Sequence, residues 1–132
     1  MRDGIRRLFP DTQAECARHI KRRGYFPIMH LIAIKDEVAQ SHPEIPFLLM
    51  RLWDEAKSIA DDFYHDPGFS LSTMAEQQYQ SQKNSWGADL WPSGLTSNRA
   101  NLELFIEDML DQGLIKERIP LETLFHESTL DT

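Results

Sequence analysis

Tyr25-Phe26-Pro27-Ile28-Met29-His30-Leu31-Ile32-Ala33-Ile34 is the stretch on which the reading of this chain turns. It is β-branched, aromatic and almost continuously apolar, with His30 as the one polar residue. Such a run predicts a strand buried on both faces, of the kind found inside a parallel or mixed sheet. Pro27 is tolerated near its start, where a ladder need not have begun.

Outward from this run the pattern turns helical. Upstream, Phe9-Pro10-Asp11 reads as a turn, Asp11 caps a helix running to about Arg23, and Gly24 ends it. The apolar stripe of that helix is thin: Ala14, Ala17 and Ile20. Downstream, Lys35 to Gln40 predicts a short helical turn. Ser41 or His42 then caps a long helix, with Pro43 in the first turn and Glu44 at capping-box spacing. Ile45, Leu48, Leu49, Leu52, Ala56, Ile59, Ala60 and Phe63 mark its inward face, and Asp66-Pro67-Gly68 stops it. Residues 70–81 predict a weaker helix with Leu71, Met74, Ala75 and Tyr79 inward. Residues 82–97 predict a loop holding Trp86 and Trp91. Thr96 or Ser97 caps the next helix, which buries Leu102, Phe105, Ile106 and Met109 and ends at Gly113. Pro120 opens a last short helix, Leu121 to Phe125.

The expected fold class is therefore α/β, mostly helical with one strong strand. That inventory carries a physical tension, because a lone strand buried on both faces cannot satisfy its own N–H and C=O groups. One resolution is that the chain is the C-terminal part of a longer α/β protein. The other is a small helical domain in which residues 25–34 adopt a different structure.

Composition narrows the function classes. The 132 residues are 41% hydrophobic and 27% charged, close to the globular average, which excludes a disordered or collagen-like chain. Cys16 stands alone, so an internal disulfide and a cysteine-rich zinc site are excluded. No apolar run approaches the roughly 20 residues of a membrane-spanning helix, and residues 1–20 hold no signal-peptide apolar core. Neither membrane insertion nor an N-terminal secretory signal is expected. Charge is uneven: residues 2–23 carry seven basic and three acidic side chains, and residues 24–132 carry seven and eighteen. The basic end reads as a solvated helix face. It lacks the aromatic interleaving of a base-stacking surface, so no nucleic-acid partner is expected.

Three strings occur in order: Arg7-Leu8-Phe9-Pro10-Asp11, then Gly24-Tyr25-Phe26-Pro27-Ile28-Met29-His30, then Trp91-Pro92-Ser93-Gly94-Leu95 with Asn98-Arg99. Together they resemble the C-terminal region of 4,5-dihydroxyphthalate decarboxylases, over about Gly4 to Leu130. The resemblance implies a type 2 periplasmic-binding-protein-like fold with two lobes and a ligand in the cleft between them. Residues 1–24 would be the tail of the second lobe. Residues 25–132 would return to the first lobe through a hinge strand and C-terminal helices, and an N-terminal portion of the same fold would be absent. The implied activity is that of a carbon–carbon lyase on a hydroxylated aromatic dicarboxylate, in the cytoplasm. The alternative is a substrate-binding protein of an ABC transporter for a small organic anion, without catalysis and in the periplasm if a signal peptide lies upstream. The partner in either case is a small aromatic or organic acid, and a homo-oligomer is compatible with both.

Within that frame His30 is the candidate catalytic residue, a general acid that delivers a proton to the carbon losing CO2. The plainer reading is a buried histidine bonded to the backbone. A ring hydroxyl on the substrate can take up charge during protonation, so no organic cofactor is required. Arg99 is a candidate carboxylate anchor, since a guanidinium binds a carboxylate through two parallel bonds. Asn98 beside it, Trp91 as a stacking surface and Arg7 as a second carboxylate contact complete the candidate substrate-binding set. Each has a structural alternative: helix capping for Asn98, a solvated or surface-paired charge for Arg99 and Arg7, core packing for Trp91. The five histidines form no His-x-x-x-His pair, and no metal site is expected.

Overall fold

A computed structural model describes residues 4–66, 68, 70–87 and 89–132. Five helices follow one another: α1 Thr12–Arg23, α2 Asp36–Ser41, α3 Ile45–Tyr64, α4 Ala75–Trp86 and α5 Leu95–Asp111. Two short 3-10 turns close the order, Leu121–Thr123 and Glu127–Thr129.

The local signals of α1 act as the sequence predicts. The Asp11 carboxylate accepts the Ala14 N–H at 2.9 Å. Gly24 sits at φ 81°, a conformation a side chain disfavours, and its N–H reaches the Ile20 carbonyl at 2.7 Å. The long helix starts differently from the expected capping box. Ser41 is the last residue of α2 and His42 follows it as a cap, while α3 begins at Ile45 with Glu44 as an N-cap that makes no side-chain cap bond. Pro46, not Pro43, occupies the first turn and is buried. Pro67, part of the expected stop signal, lies outside the described residues.

The expected strand and the α/β class are overturned. Among the described residues there is no strand; residues 26–35 form no regular element and no ladder. The tension in the sequence is resolved against the sheet, because strand formation needs a partner that local propensity cannot supply. The segment is held by side chains instead. The Phe26 carbonyl accepts the Asn101 side-chain amide at 3.0 Å, the Phe26 ring meets Trp91 edge-on at 5.7 Å, and Ile28 packs against the core. Met29, Leu31 and Ile32 stay more than 60% exposed.

The core is small and sits on α5. Leu95, Leu102, Ile106 and Leu121 are buried together, with Ile28, Ile115, Phe125 and Leu130 against them. Phe105, expected inward, is exposed, as are Leu48, Leu52, Ile59, Leu71 and Met74. The α4 helix runs to Trp86, five residues past its expected end, so the first tryptophan belongs to a helix and not to the loop. The accessible surface is 10793 Å² for a 15.4 kDa chain. A compact monomer of that mass exposes about 7,200 Å². The helices thus leave a large part of their apolar stripes uncovered.

Candidate functional site

The segment 26–34, α2, α3, the turn 89–94, α5 and the 3-10 turns enclose a groove of about 1090 Å³. Each wall is placed by identifiable contacts. Asp54 and Lys57 stand three residues apart on one face of α3 and hold the turn from below. The Ser93 hydroxyl donates to Asp54 Oδ1 at 2.6 Å, and Lys57 Nζ donates to Asp89 Oδ2 at 2.8 Å and to the Trp91 carbonyl at 2.5 Å. The Trp91 N–H in turn donates to Asp89 Oδ1 at 2.9 Å. Trp91 is thereby fixed through its backbone while its indole, 52% exposed, faces Phe26 and the groove.

Gly94 completes the turn. At φ 94° and ψ 155° it is the N-cap of α5, in place of the expected Thr96 or Ser97. The first N–H groups of α5 are met by Thr132: the Thr96 N–H donates to the Thr132 main-chain oxygen at 2.7 Å, and the Leu95 N–H to its hydroxyl at 3.3 Å. A Cβ on Gly94 would stand 2.7 Å from the Thr132 carbonyl carbon, so the close approach requires glycine on two counts.

Three of the five sequence candidates line this groove: His30 from the segment 26–34, Trp91 from the turn and Asn98 from α5. His30 is exposed on an irregular segment, not enclosed in a strand. The Asn98 amide donates to the Pro92 and Gly94 carbonyls at 2.6 and 2.8 Å, which ties the turn to the helix. Arg99 is not among the lining residues. Its guanidinium bridges Glu122 at 2.8 Å and Glu103 at 3.6 Å. That pairing raises its pKa and, after the bond from the Glu122 backbone N–H, helps lower the pKa of Glu122. Arg7 lies elsewhere, donating to the Thr12 hydroxyl at 3.3 Å.

Sequence reasoning passed over His126, which also lines the groove. The Ser128 N–H donates to His126 Nδ1 at 3.3 Å, so the neutral ring carries its hydrogen on Nε2 and can donate there. Asp54, Lys57 and Asn101 were missed as well; their partners are 39, 34 and 75 residues away in the chain. Among the described residues no lysine or arginine lines the groove, and the charged side chains on its walls are Asp36 and Glu127. Among the described residues no group of three or more histidine, cysteine or acidic side chains could hold a metal ion. No described helix is long and apolar enough to cross a membrane.

A curated relative matches almost the whole chain. The 4,5-dihydroxyphthalate decarboxylase of Comamonas testosteroni is 28% identical over 130 residues, 97% of this chain. The two sequences are related. The chain spans 39% of the length of that relative, and no family model matches it.

A second polar cluster joins α3 to α4. The Tyr79 hydroxyl donates to the Asp61 carboxylate, Lys83 Nζ donates to the same carboxylate at 2.9 Å, and His65 stands 3.6 Å from it. Tyr79 stacks on Tyr64 at 4.7 Å. The Tyr79 hydrogen bond and then Lys83 hold Asp61 below its usual range, and the same bond pushes Tyr79 up to about 12. The cluster docks a helix that has no buried residue of its own.

Proposed function

We propose that this chain serves a decarboxylase-like carbon–carbon lyase acting on a hydroxylated aromatic acid such as 4,5-dihydroxyphthalate, with the groove as the substrate site. The observation that carries the reading is the match of 97% of the chain to an enzyme named for that reaction. The convergence of His30, Trp91 and Asn98 on one groove, from three separated segments, supports it.

In the proposed reaction the ring stacks on Trp91 and His30 gives a proton to the ring carbon that bears the carboxylate. The para hydroxyl donates electron density to that carbon, so the protonated ring is a stabilised cation. The carbon–carboxylate bond then breaks, its electron pair restores the aromatic ring, and CO2 leaves. One proton is consumed per CO2, and exposed His30 regains it from water. His126 and Asn98, which also line the groove, are the proposed partners of a carboxylate and a hydroxyl. Arg99 would engage a carboxylate by exchanging Glu122 for it.

CO2 release from 4,5-dihydroxyphthalate, measured with the unaltered chain and with His30→Ala, tests this. Release that collapses in the variant supports the reading. Release unchanged in the variant removes His30 from the chemistry. Saturable binding with no release from the unaltered chain contradicts catalysis by it.

A further inference from the structure

We propose that the groove is completed by residues 4–10 of a second copy of this chain. Three independent observations meet here. The groove walls are apolar and uncovered, with Met29, Leu31, Trp53, Trp91 and Leu124 all more than half exposed. Among the described residues the charges on those walls are Asp36 and Glu127, with no lining cation opposite them. The segment Gly4-Ile5-Arg6-Arg7-Leu8-Phe9-Pro10 has the complementary chemistry: it is exposed throughout, Leu8 is 85% and Ile5 63% exposed, and two adjacent arginines stand between these apolar side chains.

Size and area fit the same occupant. Seven extended residues reach about 23 Å, long enough to cross a groove of this volume. The surface in excess of a compact monomer, about 3,600 Å², exceeds the roughly 800 Å² per partner that a stable interface buries. The charge asymmetry of the chain, basic before Gly24 and acidic after it, orients one copy's start toward another copy's groove.

The consequence deepens the proposed function and rests on it. An aromatic dicarboxylate calls for two cations, no described lysine or arginine lines the groove itself, and Arg6 or Arg7 of the second copy would supply one beside Arg99. The contact itself does not depend on the ligand, so the two ideas fail separately.

The test is the mass in solution, by sedimentation equilibrium from 1 to 200 µM at low and high salt, on four samples. The unaltered chain should associate with rising concentration, less so in salt. Arg6→Glu with Arg7→Glu should be monomeric, and so should Asp36→Lys with Glu127→Lys. An equimolar mixture of the two variants should regain association, because the reversed charges match across copies. All four side chains are exposed, and far-UV circular dichroism confirms that each variant keeps its helices. A monomeric unaltered chain at 200 µM overturns the proposal. So does association that survives both variants, or variants that fail to restore each other. With association established, 4,5-dihydroxyphthalate affinity that falls at least tenfold in the Arg6→Glu, Arg7→Glu variant supports the arginine role. Unchanged affinity in that variant removes the arginines from the site and leaves the proposed function standing.

Discussion

Replacing Gly94 by alanine should damage this protein more than replacing Gly113, although both glycines have positive φ. Gly113 sits at φ 70° with nothing within 4 Å of an added Cβ, so alanine there meets only the backbone penalty, about 1–2 kcal/mol. Gly94 lies at φ 94° and ψ 155°, in a region almost reserved for glycine, at about 1–3 kcal/mol. Its Cβ would also press on Thr132, with the carbonyl carbon at 2.7 Å and the oxygen at 3.0 Å. Relieving that contact moves Thr132 off the start of α5 and sacrifices the Thr96 N–H bond, about 0.5–1.5 kcal/mol. The combined loss is about 2–4 kcal/mol, which for a chain of this size lowers Tm by roughly 8–16 °C. Gly113→Ala should lower it by roughly 4–8 °C on the same scale. Thermal melts followed by circular dichroism compare the two, and amide exchange at Thr96 should rise only in Gly94→Ala. Equal melting shifts, or a protected Thr96 amide in Gly94→Ala, would refute the capping of α5 by Thr132.

Asn101→Ala should free the Phe26 carbonyl and loosen residues 26–34, at about 1 kcal/mol, with faster proteolysis confined to that segment. Glu122→Gln should release Arg99 and raise the affinity for 4,5-dihydroxyphthalate, measured by calorimetry, whereas Arg99→Ala should lower it; identical affinities would remove Arg99 from the proposed site. Tyr79 should titrate near pH 12 by its absorbance, and Asp61→Asn should bring it down. The Asp61 pKa is lowered on folding, so its contribution to α4 docking is present above the unfolded value of 3.8 and is lost as the pH falls through its folded value. Tyr79 is raised, so its contribution is present below 10 and lost as the pH climbs through about 12. Docking of α4 should therefore hold from about pH 5 to pH 10, and proteolysis between α3 and α4 should accelerate only outside that window.

What could be read from the sequence was what neighbours in the chain decide. Asp11 and Gly24 bound α1 because a cap and a left-handed stop act within one helical turn. Leu102 and Ile106 face the core because their spacing follows the helix on which they sit. The run 25–34 misled for the opposite reason. Its residues favour a strand, but a strand is a pairing, and pairing is decided by chain far away. The start of α3 misled because two adjacent proline signals compete: Pro43 follows a residue that caps α2, and Pro46 takes the first turn instead. At the groove, His30, Trp91 and Asn98 were marked by the resemblance, yet nothing local predicts that they share a wall. Half of the pairing of Arg99 was visible, since Glu103 stands four residues on, but Glu122 was not. The clamps that set the turn, Asp54 to Ser93 and Lys57 to Trp91, bridge more than thirty residues and leave no mark in the local pattern.

The central claim is that the groove binds a hydroxylated aromatic acid against Trp91 and His30. Amide and indole chemical shifts of the isotopically labelled chain, followed during titration with 4,5-dihydroxyphthalate, address it directly. The expected result is saturable shifts centred on residues 26–34, the turn 89–94, Asn98 and His126, and their loss in Trp91→Ala. Shifts confined to the arginines of residues 4–23, or none at millimolar ligand, would contradict it.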